Sequence, residues 1–345
     1  MVFAFGNQKK TDSVVLIDVG ESSVAGAYVR YADNDIPTVI YTHRLPVEAK
    51  SDEPREDAVL RALHVLGELL VTEGAPMLAR IAGSGHVQTI VASINAPWQN
   101  TSVRVERLEH DAPFLITKAL VAKALEKSTI SAPKKLLVDE SIIGTMLNGY
   151  RTNDPYGKSA HRADIVILTS LIDEQLARSV SSALQSQYHT GNVHAIASGS
   201  LRFQTMQRVF PHENNALIID SIGPVTSIAI IRNGLLAAVV DVPDADVAQP
   251  WSEHIENELA ELAKDYPLPR TIFLLTGEPD AQTPQDKLSA AVLEKLWLSD
   301  NPPKIVTVTA NNLKGMVRQT APVPPDLPLL LMALYYFYRS SDRTV

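Results

Sequence analysis

Two short stretches carry residue types suited to holding phosphate. Asp18-Val19-Gly20-Glu21-Ser22-Ser23-Val24 follows an apolar run that starts at Ser13, and Asp220-Ser221-Ile222-Gly223-Pro224-Val225-Thr226 follows one that starts at Ala216. Glycine lets a backbone come close to a phosphate, backbone N–H groups can point at its oxygens, and an aspartate can hold Mg²⁺ or its water. Asp18, Gly20, Ser22 and Ser23 in the first stretch, and Asp220, Gly223 and Thr226 in the second, are the candidates for such contacts. The bland alternative for all of them is an ordinary strand-to-turn junction.

Other chemistries find less support. The chain has no cysteine, which removes disulfides, thiol catalysis and thiolate metal sites. The nine histidines are scattered and form no H-E-x-x-H or comparable pair. Gly83-Ser84-Gly85 lacks the spacing of a nucleophile elbow and precedes its strand, so it reads as a loop. Trp98, in Ala96-Pro97-Trp98, has two readings: a packed residue where segments join, or an aromatic anchor for a protein partner. The net charge of −8 over 345 residues argues against a general nucleic-acid-binding surface.

The elements that must position these residues follow from periodicity. Ser13 to Gly20 reads as a buried strand ending in a tight turn. Ser23 to Tyr31 and Ile36 to His43, joined by a polar turn, complete a three-strand meander. Apolar residues at helical spacing from Glu53 to Glu73 predict a helix ended by Gly74, and Val87 to Ile94 predicts a strand. A smaller inserted unit of strand, helix and strand runs from 95 to 162, its end rich in turn residues between Leu147 and Lys158. Ala163 to Ser170 reads as a return to the first domain, and Ile172 to Gln187 as an amphipathic helix.

The second half repeats the opening about 200 residues later: strand, Asp-and-Gly turn, then a hairpin with Asn233-Gly234 at its tip. Strands at Thr271 to Gly277 and Lys304 to Thr309 follow, with helices at Trp251 to Lys264 and Gln285 to Leu298. Leu327 to Tyr338 is the most apolar segment. It is too short to span a bilayer and reads as a buried helix, with a membrane-surface or partner-binding helix as the alternative. The opening MVFAFGNQKK is too short for a signal peptide.

The duplicated strand, Asp-and-Gly turn and hairpin resemble the actin-like ATPases, and the order of segments resembles the bacterial FtsA and PilM proteins. Met1 to Val29 is similar to their start. Residues 95–162 resemble the SHS2-type subdomain of FtsA, and Val138 to Ile167 is similar to the segment leading out of it. The resemblance implies an α/β, actin-like (RNase H-like) two-lobed fold. Its first subdomain would comprise 1–94 and 163–215, the SHS2-like insert 95–162, and a reduced second lobe 216–345. It further implies that the two turns grip the phosphates of ATP from opposite sides of a cleft, with Mg²⁺ on Asp18 and Asp220, and that Gly277 lies on the adenosine side.

The sequence departs from that pattern. Ile222 and Pro224 stand where the second turn needs glycine; proline has no N–H to donate and isoleucine adds a branched side chain. Glu278 and Pro279 follow Gly277 where a second glycine belongs. Gln204 and Gln207 lie too far along their helix to position a water. Pro243 to Arg270 has room for one helix where the family carries its fourth subdomain. These departures predict weak or absent ATP binding and no catalytic residue. The expectation is therefore a cytoplasmic scaffold working through its insert and inter-lobe groove, reaching the inner face of the membrane through a partner or the short leader. Its partners would be proteins of a division machine (FtsA-like), toward which the likeness of the Asn148-Gly149-Tyr150 to Asp154-Pro155 segment leans, with a type IV pilus or secretion platform (PilM-like) as the alternative and self-association open. The competing expectation is an ATP-binding, polymerising actin homologue.

Overall fold

A computed structural model describes residues 11–33, 35–126, 132–152, 154–243, 250–277, 285–286, 288, 296–297, 303–320 and 325–342. The expectations for the leader, for Glu278 and Pro279, and for most of the helix at 285–298 lie outside the described residues. The chain divides into two compact units: residues 1–94, 176–195 and 309–345 form the first, and 95–175 and 196–308 the second.

The first unit is built on a six-stranded sheet. Its strands are β1 (Thr11–Val19), β2 (Ser23–Ala32), β3 (Thr38–Pro46), β4 (Thr89–Ile94), β9 (Val193–Ala197) and the short β15 (Arg318–Gln319), in the order β15-β3-β2-β1-β4-β9. β1 is central and wholly buried from Val14 to Ile17. That is why it reads as a continuous apolar run and not as an alternating one.

The helix expected to end at Gly74 does not end there. α1 (Arg55–Leu69) passes through one π-helical turn, Leu70–Gly74, into α2 (Ala75–Ala82), and stops at Gly83 in a left-handed C-cap (φ 78°). Pro76 cannot donate to the helical ladder and its ring crowds the preceding turn; the wider π turn accommodates it. Gly74 is spent on packing, because a Cβ there would meet the Tyr28 ring at 2.6 Å.

The apolar segment near the end of the chain forms α7 (Leu327–Asp342), buried from Leu327 to Tyr335. It packs on β1 and β2. Tyr31 donates a hydrogen bond to the Ala333 carbonyl at 3.1 Å, and Tyr336 donates to Asp12 Oδ2 at 3.0 Å. Sequence order alone assigns this helix to the second lobe, whereas packing places it in the first unit. No helix among the described residues is long and apolar enough to cross a membrane.

The second unit holds two sheets. The five-stranded one has the order β12-β11-β10-β13-β14, from β10 (Ala216–Asp220), β11 (Val225–Arg232), β12 (Leu235–Pro243), β13 (Thr271–Leu275) and β14 (Lys304–Val308). Leu217, Ile219, Ile228, Ile230, Ile272 and Leu274 pack with Ile255, Leu259 and Leu262 of α6 (Trp251–Asp265) on one face. Beyond α5 (Ser198–Val209), Phe210 stacks on Phe273, which points to the other face.

The four-stranded sheet has the order β5-β8-β6-β7, from β5 (Gln99–Leu115), β6 (Lys135–Leu147), β7 (Tyr150–Thr152) and β8 (Ser159–Asp173). α3 (Lys118–Glu126) covers one side through Val121 against Ala163, Ile165 and Ile167. Residues 163–170 do not return to the first unit's sheet but pair along β5 and β6. An apolar run looks the same whichever sheet receives it. The helix expected from Ile172 begins only at Glu174 as α4 (Glu174–Tyr188).

The duplication extends to register. Asp18 faces Ala25 across β1 and β2, and Asp220 faces Ser227 across β10 and β11, 202 positions later in both members. The antiparallel pairing slips at Tyr28/Val29 in the first unit and at Ile230/Ile231 in the second, again 202 positions apart. Both sheets then continue into a parallel strand, β4 beside β1 and β13 beside β10.

Candidate functional site: two arginine-held aspartates

Each unit carries one of the two Asp-and-Gly turns, and in each the aspartate is paired with an arginine. Asp18 is buried at the end of β1, with its Oδ2 3.1 Å from Arg44 Nη2. Arg44 reaches it because β3 pairs with β2: Ala25 stands opposite Asp18 on one side and opposite Arg44 on the other. The same guanidinium grips Asp326 with two bonds, Nε to Oδ2 at 2.6 Å and Nη2 to Oδ1 at 2.9 Å, and donates to Ser23 Oγ at 2.8 Å. Burial alone would lower the Arg44 pKa, but Asp326 and Asp18 outweigh it and the group is held more firmly protonated than usual.

Asp326 also sets the start of α7. Its Oδ1 accepts from the Leu329 N–H at 3.1 Å, and its carbonyl from the Leu330 N–H at 3.0 Å. The Gly20 N–H, which the sequence offers to a phosphate, bonds the Ser23 carbonyl at 3.0 Å, and the Ser22 carbonyl receives the Val47 N–H.

In the second unit, Asp220 Oδ2 lies 2.9 Å from Arg202 Nη1, with both side chains about 4% exposed. Arg202 projects from α5, and its Nη2 bonds Asn95 Oδ1 at 2.6 Å. The second turn is closed on itself. The Ile222 N–H bonds Asp220 Oδ1 at 3.1 Å, while the Ser221 N–H and hydroxyl both bond the Leu275 carbonyl. Thr226 Oγ1 accepts from the Trp251 indole at 2.9 Å. Gly223 adopts φ 106°, a conformation that favours glycine. Gly277, two residues beyond β13, is exposed.

These residues fit poorly with Mg²⁺ and a nucleotide. Both candidate metal ligands already face a full positive charge, and the candidate backbone donors at Gly20, Ser221 and Ile222 are bonded within the chain. Sequence reading found the aspartates but neither arginine, nor Asp326 and Asn95. The one available signal was Ile222 and Pro224 standing beside Gly223 in the second turn.

Beside Asp220, Ser227 donates to Asp241 Oδ1 at 2.5 Å. Burial, with the Asp220 charge adding to it, raises the Asp241 pKa against the opposing Ser227 bond. A raised carboxylate destabilises the folded state as pH climbs from the unfolded value near 4 through the folded one. Asp241→Asn is therefore expected to raise the thermal midpoint at pH 7, and the gain should shrink as pH falls toward 4 in a scanning-calorimetry series.

Trp98 and Gln204 both lie within the second unit. Trp98 is buried at the start of β5, where its N–H bonds Asn95 and its carbonyl accepts from Asp173. Gln204 turns to a buried cluster, donating to Asp139 Oδ2 at 3.0 Å and to Ser200 Oγ at 2.8 Å, and Ser200 itself donates to Asp139.

No protein-family model matches the chain, and no curated protein matches it by sequence. Solved structures do. A chain of the PilM-PilN type IV pilus biogenesis complex superposes with a TM-score of 0.54 at 12% identity, covering 94% of this chain and 98% of that one. A Bacteroides thetaiotaomicron protein with actin-like ATPase fold and unknown function gives 0.45 at 10% identity, covering 94% and 96%. The ethanolamine utilization protein EutJ from Carboxydothermus hydrogenoformans gives 0.36 at 12% identity, covering 94% and 90%. The chain has the actin-like ATPase fold.

Proposed function

We propose that this protein is an actin-fold scaffold of a bacterial envelope machine, acting by binding other proteins and not by turning over ATP. The observation that carries the reading is the pair of arginine-held aspartates. A carboxylate bonded to a guanidinium has its charge already met, and Mg²⁺ would have to displace a tethered cation to reach it. The four-stranded layer, read as the SHS2-like insert, is the proposed surface for partners, and the proposed location is the cytoplasm.

For the machine itself, the near full-length likeness to a chain of a type IV pilus biogenesis complex favours a pilus or secretion platform. The FtsA-like division role, first suggested by the Asn148-Gly149-Tyr150 to Asp154-Pro155 segment, is the second reading.

The test is calorimetric titration with Mg·ATP, run beside an Asp18→Ala variant. No heat at millimolar nucleotide is the expected result. Micromolar binding that Asp18→Ala abolishes would overturn the scaffold reading in favour of an ATP switch.

A further inference from the structure

The duplicated sheets contain their own control. In the first unit the row across the sheet reads Asp18, Ala25, Arg44; in the second the same row reads Asp220, Ser227, Asp241. The strand position that supplies a cation to Asp18 supplies a second carboxylate beside Asp220. There the cation comes from another element altogether, Arg202 on α5. Two unrelated routes thus deliver a guanidinium to the equivalent carboxylate. A buried aspartate left without a counter-charge is costly, and that charge can come either from a bound cation or from a tethered side chain.

We propose that Arg44 is a tethered cation that meets at Asp18 the charge a divalent cation would otherwise have to meet, and that through Asp326 it ties the first turn to the start of α7. Being covalent, this cation cannot leave. The conformation of the turn and the docking of α7 are then independent of Mg²⁺ and of chelators. Arg44 suits the task because its planar fork spans both carboxylates and the Ser23 hydroxyl at once. The inference rests on the scaffold reading but fails separately from it. Binding of Mg·ATP by the wild-type protein would sink that reading, whereas the present claim is decided by how variants respond to metal alone.

The experiment compares thermal midpoints in EDTA and in MgCl₂ for the wild type, Arg44→Ala and Arg44→Ala/Asp18→Asn. The wild type is expected to melt at the same temperature in both. Arg44→Ala is expected to fall by about 5 °C or more in EDTA and to regain part of that loss in MgCl₂. The double variant, with the carboxylate gone, is expected to be indifferent to the metal. A wild type stabilised by Mg²⁺, or a folded Arg44→Ala that ignores it, would overturn the proposal. Should Arg44→Ala not fold, Arg44→Lys and Arg44→Gln decide the matter. The charge-keeping variant should melt several degrees above the neutral one, and equal midpoints would refute a role in charge compensation.

Discussion

Replacing Arg202 with methionine is expected to lower stability by about 3–5 kcal/mol, because it leaves Asp220 buried without a counter-charge. Methionine keeps much of the volume, so the loss reports charge and hydrogen bonding more than a cavity. Asn95 Oδ1 loses its 2.6 Å donor in the same step. At roughly 2–4 °C per kcal/mol for units of this size, the thermal midpoint falls by about 6–20 °C. Urea denaturation followed by circular dichroism checks the value. The companion variant Arg202→Met/Asp220→Leu removes both charges and is expected to recover most of the loss, since replacing a buried ion pair with apolar groups is often neutral. A single variant as stable as the wild type would show that Asp220 has another way to meet its charge, and would remove the main support for the scaffold reading.

Leu331→Ala in α7 is expected to cost about 2–5 kcal/mol. Leu331 has no exposed surface, and α7 is buried along Leu327–Tyr335 against the first unit's sheet. Arg339, exposed near the helix end, provides the contrast: Arg339→Ala should shift stability by no more than about 0.5 kcal/mol, although it removes the short contact to the Tyr335 hydroxyl. Urea midpoints of the two variants make the comparison. Equal, small effects at both positions would mean that the helix does not dock as described, and would return the membrane-surface or partner-binding reading of this segment to contention.

Much of the fold was legible in the sequence. Asp18 and Asp220 each end an unbroken apolar run, and such a run marks a strand buried on both faces. The tight turns and the Asn-Gly hairpin tip are local signals, fixed by the few residues that tolerate those backbone angles. One local limit on phosphate binding is also legible, since Pro224 cannot donate an N–H wherever it sits.

What only the tertiary structure decided is which partner meets each of these residues. Arg44, Asp326 and Arg202 are ordinary charged residues in the sequence; Arg44 lies 26 positions from Asp18 and 282 from Asp326. Arg44 faces the Asp18 row only because two hairpin registers, including the slip at Tyr28/Val29, add up to that alignment, and a one-residue change in register would turn it to the opposite face. The same holds for β8 and α7. Apolar periodicity says that a segment is buried, but not which sheet receives it, because burial is a property of one segment and pairing is a property of two.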